Sequence, residues 1–148
     1  MLKGIPEVIS PELLKALAEM GHGDTIVIGD DFFPAVTMSE RNCVINADGI
    51  GGPELVEAIL KLMPVDSDYM EHPIMLMDIE ESMKGKVETP AVWEQYMQVA
   101  DKMEPKGRAL VGFLDRFEFY EKAKKSYVIV SSGERQPYGN VLIQKGVM

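Results

Sequence analysis

Apolar positions first recur with a helical period over residues 10–21, where Leu13, Leu14 and Leu17 form one stripe. Ser10, Pro11 and Glu12 sign the start of that helix. The serine oxygen accepts a free backbone N–H, a proline at the first helical position wastes no donor, and the acid suits the positive end of the helix dipole. Ile9, before the cap, is placed to pack on Leu14, and Gly21 is placed to end the helix. The pattern then becomes β-branched. Thr25, Ile26, Val27 and Ile28 predict a strand that closes at Gly29 and Asp30. The loop Asp31-Phe32-Phe33-Pro34 leads to a second strand around Cys43, Val44 and Ile45. Gly51-Gly52-Pro53 opens a helix whose inner side is Leu55, Val56, Ile59, Leu60 and Met63, and Pro64 stops it.

The alternation continues. A strand is predicted over 74–79, and Thr89-Pro90 starts a helix that carries Trp93, Tyr96, Met97 and Ala100 and closes before Pro105. A strand over 109–114, a helix over 115–125 and a strand over 127–131 follow. After the turn-rich stretch 133–139, a last strand spans 140–144. Strands and helices in alternation predict an α/β fold: a single layered domain over residues 1–148, with a mostly parallel or mixed central sheet flanked by helices. The final strand-turn-strand unit is expected to be a hairpin.

Charge and composition narrow the function. The 148 residues carry a formal net charge of -9, a field that repels phosphate backbones and argues against nucleic acid as a partner. One cysteine, Cys43, permits no intramolecular disulfide and suits a reducing compartment. The first residues lack the apolar core of a signal peptide, and no apolar run approaches the roughly 18 residues of a membrane span. The expected location is the cytoplasm, with no membrane partner. Nucleotide-binding glycine loops, a serine-hydrolase elbow and the H-E-x-x-H zinc motif are missing from the chain. Two isolated histidines and one cysteine do not make an imidazole/thiolate zinc site, so no metal is assigned, with only a carboxylate-rich Mg²⁺ or Ca²⁺ site left open.

The candidate chemistry is sparse. His22 lies between Gly21 and Gly23, where little crowds the ring, although a histidine near a helix C-terminus is often a solvated or capping group. Asp30 ends a strand, where ligand contacts gather in α/β sheets, but a turn-forming aspartate looks the same. Asp66, at a helix exit, is ordinary by itself. With Asp115 as N-cap, Arg116 and Tyr120 stand four apart on one helical face. A cation in the first turn opposes the helix dipole, so Arg116 needs an offsetting partner: Asp115, another carboxylate or a ligand. Tyr138, Gly139 and Asn140 are turn chemistry, and an aromatic beside an amide is also what a sugar prefers.

These pieces occur in an order that resembles the L-fucose mutarotase / D-ribose pyranase family. The resemblance runs through Ser10-Pro11-Glu12-Leu13-Leu14, Met20-Gly21-His22-Gly23-Asp24, Asp30 with Phe33-Pro34, and Ala47-Asp48-Gly49. Arg116-Phe117-Glu118-Phe119-Tyr120, Gly133-Glu134, Tyr138-Gly139-Asn140 and Lys145-Gly146-Val147 are closest to the fucose branch. Asn46 departs from it, standing where an arginine is common, and Asp31-Phe32 fill variable places in a loop that is expected near the sugar. The resemblance implies an isomerase that exchanges the anomers of L-fucose or a similar 6-deoxyhexose by acid–base catalysis, with no cofactor. It further implies His22 as proton donor, Tyr120 as the second proton-handling group and Arg116 beside it. Asp30, Asp66, Tyr138, Gly139 and Asn140 would hold the sugar. The alternatives are a pyranase acting on D-ribose and a sugar-binding oligomer without activity.

His22 and Asp30 flank one strand, and eight extended residues span up to about 26–29 Å. They meet around one sugar only if the chain bends near Gly23 or Gly29. Otherwise neighbouring subunits share each site. The resembled family forms ring-shaped homo-oligomers, typically decamers, so an interfacial site is expected.

Overall fold

The computed structural model describes residues 2–148. Its first helix, α1 (Pro11–Glu19), begins as its sequence requires, with Ser10 Oγ accepting the Leu13 N–H at 3.1 Å. Its end differs from the expectation. The left-handed residue is Gly23 (φ 86°) rather than Gly21, so the glycine turns the chain into the next strand instead of closing the helix. The carbonyls at the helix end are held from the other terminus, by Lys145 Nζ donating to Leu17 O at 2.7 Å and to Met20 O at 2.5 Å.

Six strands follow among the described residues: β1 (Thr25–Gly29), β2 (Val44–Ala47), β3 (Ile74–Met77), β4 (Val111–Leu114), β5 (Val128–Ser132) and β6 (Val141–Gln144). They form one sheet in the order β2-β5-β1-β6-β3-β4. β5 pairs in parallel with β1 and β2, and β3 with β4, while β6 runs antiparallel between β1 and β3. The sheet is therefore mixed. The expected terminal hairpin does not form: β5 and β6 lie on either side of β1. A hairpin would push β1 toward an edge, yet Ile26, Val27 and Ile28 are fully buried and need a strand on each side. The connection from β5 to β6 consequently crosses the carboxyl end of β1, where Asp31 N–H donates to Glu134 O at 2.7 Å.

Alternate residues of each strand enter separate cores. Ile26, Ile28, Val130, Ile143 and Leu76 face α1, α3 (Gly52–Leu62) and α4 (Ala91–Met103). Val27, Ile129, Leu142 and Met75 face α2 (Ala35–Met38) and α5 (Arg116–Lys124), where Phe119 and Ala123 are buried. α2 is a single turn that the pattern of apolar positions did not announce. Helices thus cover both faces, and the strand ends are what remains accessible.

Candidate active site

β1, β3 and β4 all point their carboxyl ends to one side, and the crossing segment 133–140 closes over them. Asp30, the first residue past β1, is only 3% exposed. Its N–H donates to Asn140 Oδ1 at 2.7 Å. Its carboxylate accepts the N–H of Phe32 at 3.0 Å and of Gly139 at 3.2 Å. Burial pushes the Asp30 carboxyl above its ordinary range. The two backbone N–H groups pull the other way, and the nearby charge of Glu134 adds to the rise. Tyr138, between them, has φ 61°, a left-handed conformation uncommon for a bulky residue.

α5 supplies the opposite wall. Asp115 Oδ1 caps it by accepting the N–H of Phe117 and Glu118, which commits that acid to the backbone. Arg116 finds its partner elsewhere: Nη1 donates to Glu80 Oε2 at 2.8 Å, while Nε donates to Tyr120 Oη at 3.3 Å. The contact with Tyr120 and then the Glu80 carboxylate push the guanidinium further up, so Arg116 remains a cation. Phe33 packs beside Tyr120, ring centroids 5.9 Å apart, and edge-on to Phe119 at 6.0 Å. That wedge sets the position of the phenol.

Together these groups surround a cavity of about 370 Å³, lined by Asp30, Phe32, Phe33, Pro34, Met77, Glu80, Arg116, Tyr120, Pro137, Tyr138 and Asn140. The volume lies in the range of small-ligand pockets, and aromatic walls with a few fixed polar groups suit a polyhydroxylated ring. Five of the residues expected from the sequence, Asp30, Arg116, Tyr120, Tyr138 and Asn140, line it, and Gly139 stands directly behind through its bond to Asp30.

His22 and Asp66 are not there. They lie at the amino end of β1, where His22 Nε2 is 3.2 Å from Asp66 Oδ2 and the imidazole stacks obliquely on Tyr69 at 5.1 Å. Gln144 Nε2 donates to the same Asp66 oxygen at 2.9 Å. Among the described residues, Asp66 Oδ1 is buried without a hydrogen-bond partner. The four residue steps of β1 separate the two groups by about 13 Å before any loop is added.

Met77, Glu80 and Tyr69 were missed from the sequence. The need of Arg116 for an acidic partner was visible, but nine acidic residues stand nearer to it in sequence than Glu80 does; only the fold selects Glu80. Met77 was within reach of the rule that ligands gather at strand ends. Asn46 and Asp31 do not line the cavity, whereas Phe32 does and is 67% exposed. Among the described residues no group of three or more His, Cys, Asp or Glu is arranged to hold a metal, and no helix is long and apolar enough to cross a membrane.

A mixed α/β sheet with a small polar-and-aromatic cavity at its strand ends defines a binding domain for a small polar ligand. The chain belongs to the RbsD / FucU transport protein family, whose model matches residues 3–148. It is 46% identical to the fucose mutarotase of Mus musculus over 149 residues, covering 99% of this chain and 95% of the relative. The structure of FucU from Bifidobacterium longum is similar at a TM-score of 0.92 and 42% identity, with 99% of each chain covered. So is the fucose mutarotase of Streptococcus pneumoniae, solved in complex with L-fucose, at a TM-score of 0.89, 39% identity and 99% of each chain.

Proposed function

We propose that this protein is a mutarotase that interconverts the α and β anomers of L-fucose. The observation that carries the reading is the convergence of Asp30, Arg116, Tyr120, Tyr138 and Asn140 on one sugar-sized cavity, in a chain whose full-length relatives are named for this activity. Exchange requires a proton for the ring oxygen and removal of one from the anomeric hydroxyl. The bond between the anomeric carbon and the ring oxygen breaks, the aldehyde rotates, and closure reverses both transfers. Tyr120 takes and returns the hydroxyl proton, with Arg116 donating to its oxygen. Asp30, Tyr138 and Asn140 hold the hydroxyls and one face of the ring. His22 serves the ring oxygen, since an imidazole both holds and releases a proton near neutrality. Asp66, facing Nε2, orients that ring.

Because β1 separates His22 from Tyr120, the imidazole of each site comes from a neighbouring copy, in a ring-shaped homodecamer. The exposed ring of Tyr69 beside His22 and the exposed Phe32 at the cavity support such an interface. The cytoplasm is the proposed location, consistent with the single free Cys43.

Saturation-transfer NMR on an equilibrium mixture of fucose anomers tests the activity. The protein is expected to accelerate exchange and His22→Ala to abolish the acceleration. Binding without acceleration would instead support a non-catalytic module, and faster exchange of ribose than of fucose would favour the pyranase. Mixing His22→Ala with Tyr120→Phe protein tests the shared site. Hybrid rings should regain activity, which sites built from one chain could not do.

A further inference from the structure

Two side chains that line no part of the cavity reach the turn that does. Trp93 and Tyr96 lie three apart on α4 and are 8% and 1% exposed. Trp93 Nε1 donates to Tyr138 O at 3.0 Å, and Tyr96 Oη donates to Gly139 O at 2.6 Å. The other side of the same turn is held by Asp30, which accepts the Gly139 N–H and donates its own N–H to Asn140 Oδ1. The turn between these two sets of bonds contains the left-handed Tyr138. A backbone in that region persists only where its surroundings over-determine it.

Access for the Tyr96 hydroxyl is built into α3. A Cβ on Gly52 would overlap that oxygen, so the glycine opens the path by which the phenol reaches the Gly139 carbonyl. Burial, followed by the charges of Glu134 and Asp30, pushes the Tyr96 phenol far up. It therefore keeps its proton at all working pH values and is a fixed donor, not an acid–base group.

We propose that Trp93 and Tyr96 are positioning residues for sugar binding: by holding two consecutive carbonyls they fix the left-handed turn at Tyr138 and aim the Tyr138 ring and the Asn140 amide into the cavity. Asn140 Oδ1 is committed to Asp30, so Nδ2 is the end left to donate to a sugar hydroxyl. Asp30 alone leaves the carbonyl side of the turn unrestrained, free to relax out of the left-handed region. This inference rests on the assignment of the sugar to this cavity.

Tyr96→Phe removes only the hydroxyl. In the intact oligomer, KM for L-fucose anomer exchange should rise about three- to ten-fold, the effect of losing one ordinary hydrogen bond, with kcat changed less than about two-fold. Amide resonances of residues 138–140 should shift in the sugar-free protein. Gly52→Ala, which displaces the hydroxyl, and Trp93→Phe, which removes the other donor, should act in the same direction, so the test survives if one variant fails to fold. Folded variants with wild-type KM and unmoved amides at 138–140 would overturn the proposal, even if they melt earlier. Asn140→Ala separates the two readings. If it keeps wild-type KM, the sugar does not sit at this turn and the proposal falls with the site. If it raises KM while the three positioning variants do not, the α4 clamp alone is wrong.

Discussion

Asp30→Asn exposes the demands on the cavity floor. The wild-type carboxylate accepts two backbone N–H groups, a part-buried one from Phe32 at 3.0 Å and a buried one from Gly139 at 3.2 Å. Asparagine offers one oxygen and turns an NH₂ group toward the second donor. One of the two N–H groups then loses its acceptor, which costs about 1–3 kcal/mol where that group is buried. For a chain of this length each kcal/mol moves Tm by about 2–4 °C, so a loss of about 2 kcal/mol corresponds to about 4–8 °C. The penalty depends on pH with a definite sign. The folded Asp30 pKa is raised, so this group's contribution to stability is full in acid and is lost as pH rises through the folded value. Even protonated, its hydroxyl oxygen keeps a lone pair for the N–H, which an amide nitrogen does not. Asparagine has no such titration, so the stability gap between wild type and variant should be wider in acid and narrower at neutrality. Thermal melts of both proteins from mildly acid to neutral pH measure this, and NMR exchange on L-fucose should show at least a ten-fold loss in kcat/KM. A gap that widens toward neutrality would refute the electrostatic argument, and unchanged exchange would refute the placement of the sugar.

Other perturbations separate chemistry from support. His22→Ala should lower anomer exchange by about 10²- to 10⁴-fold, the worth of one placed acid or base, with the circular dichroism spectrum unchanged. Glu80→Gln should leave Tm within about 4 °C of wild type, because its ion pair with Arg116 is about 40% exposed on both sides and such pairs contribute little. The glutamine oxygen can still accept from Nη1, so exchange on L-fucose should fall less than ten-fold. Phe119→Ala should cost about 3–5 kcal/mol in urea unfolding, since the ring is fully buried and braces Phe33. Exchange should weaken as well, because Phe33 in turn fixes Tyr120.

Most of the fold was legible because local chemistry and burial agree. Ser10 and Asp115 cap helices where their positions suggest, and the apolar runs of β1, β3, β5 and β6 are buried strands. The order of the strands was less legible. A turn-rich segment between two apolar runs reads as a hairpin, and nothing local reveals that β1, a hundred residues earlier, inserts between them. Non-local pairing is decided by which strand needs two covered edges. The single turn of α2 escaped for a related reason: four residues bury too little to leave a periodic signature.

The lining of the cavity was legible in its residue types and less so in its partners. Each helix or strand end named its own group: Asp30 after β1, Arg116 and Tyr120 on the first turns of α5, Tyr138 to Asn140 before β6. What the sequence does not carry is the pairing across the fold, such as Arg116 with Glu80 or Tyr96 with the Gly139 carbonyl. Those pairings show a division within the molecule. At the carboxyl end of β1, Asp30 is enclosed by a fixed set of backbone partners, so that end is organised before any ligand arrives. At the amino end, Asp66 carries a buried oxygen with no partner from the described residues, and His22 and Tyr69 beside it are open to contact. A buried carboxylate oxygen left alone is costly, and more so in a protein that gains elsewhere from satisfying nearly every such group. Under the proposed shared site, the amino end is the half of the chemistry that one chain leaves unfinished, and a second copy placing its own cavity against His22 would complete both.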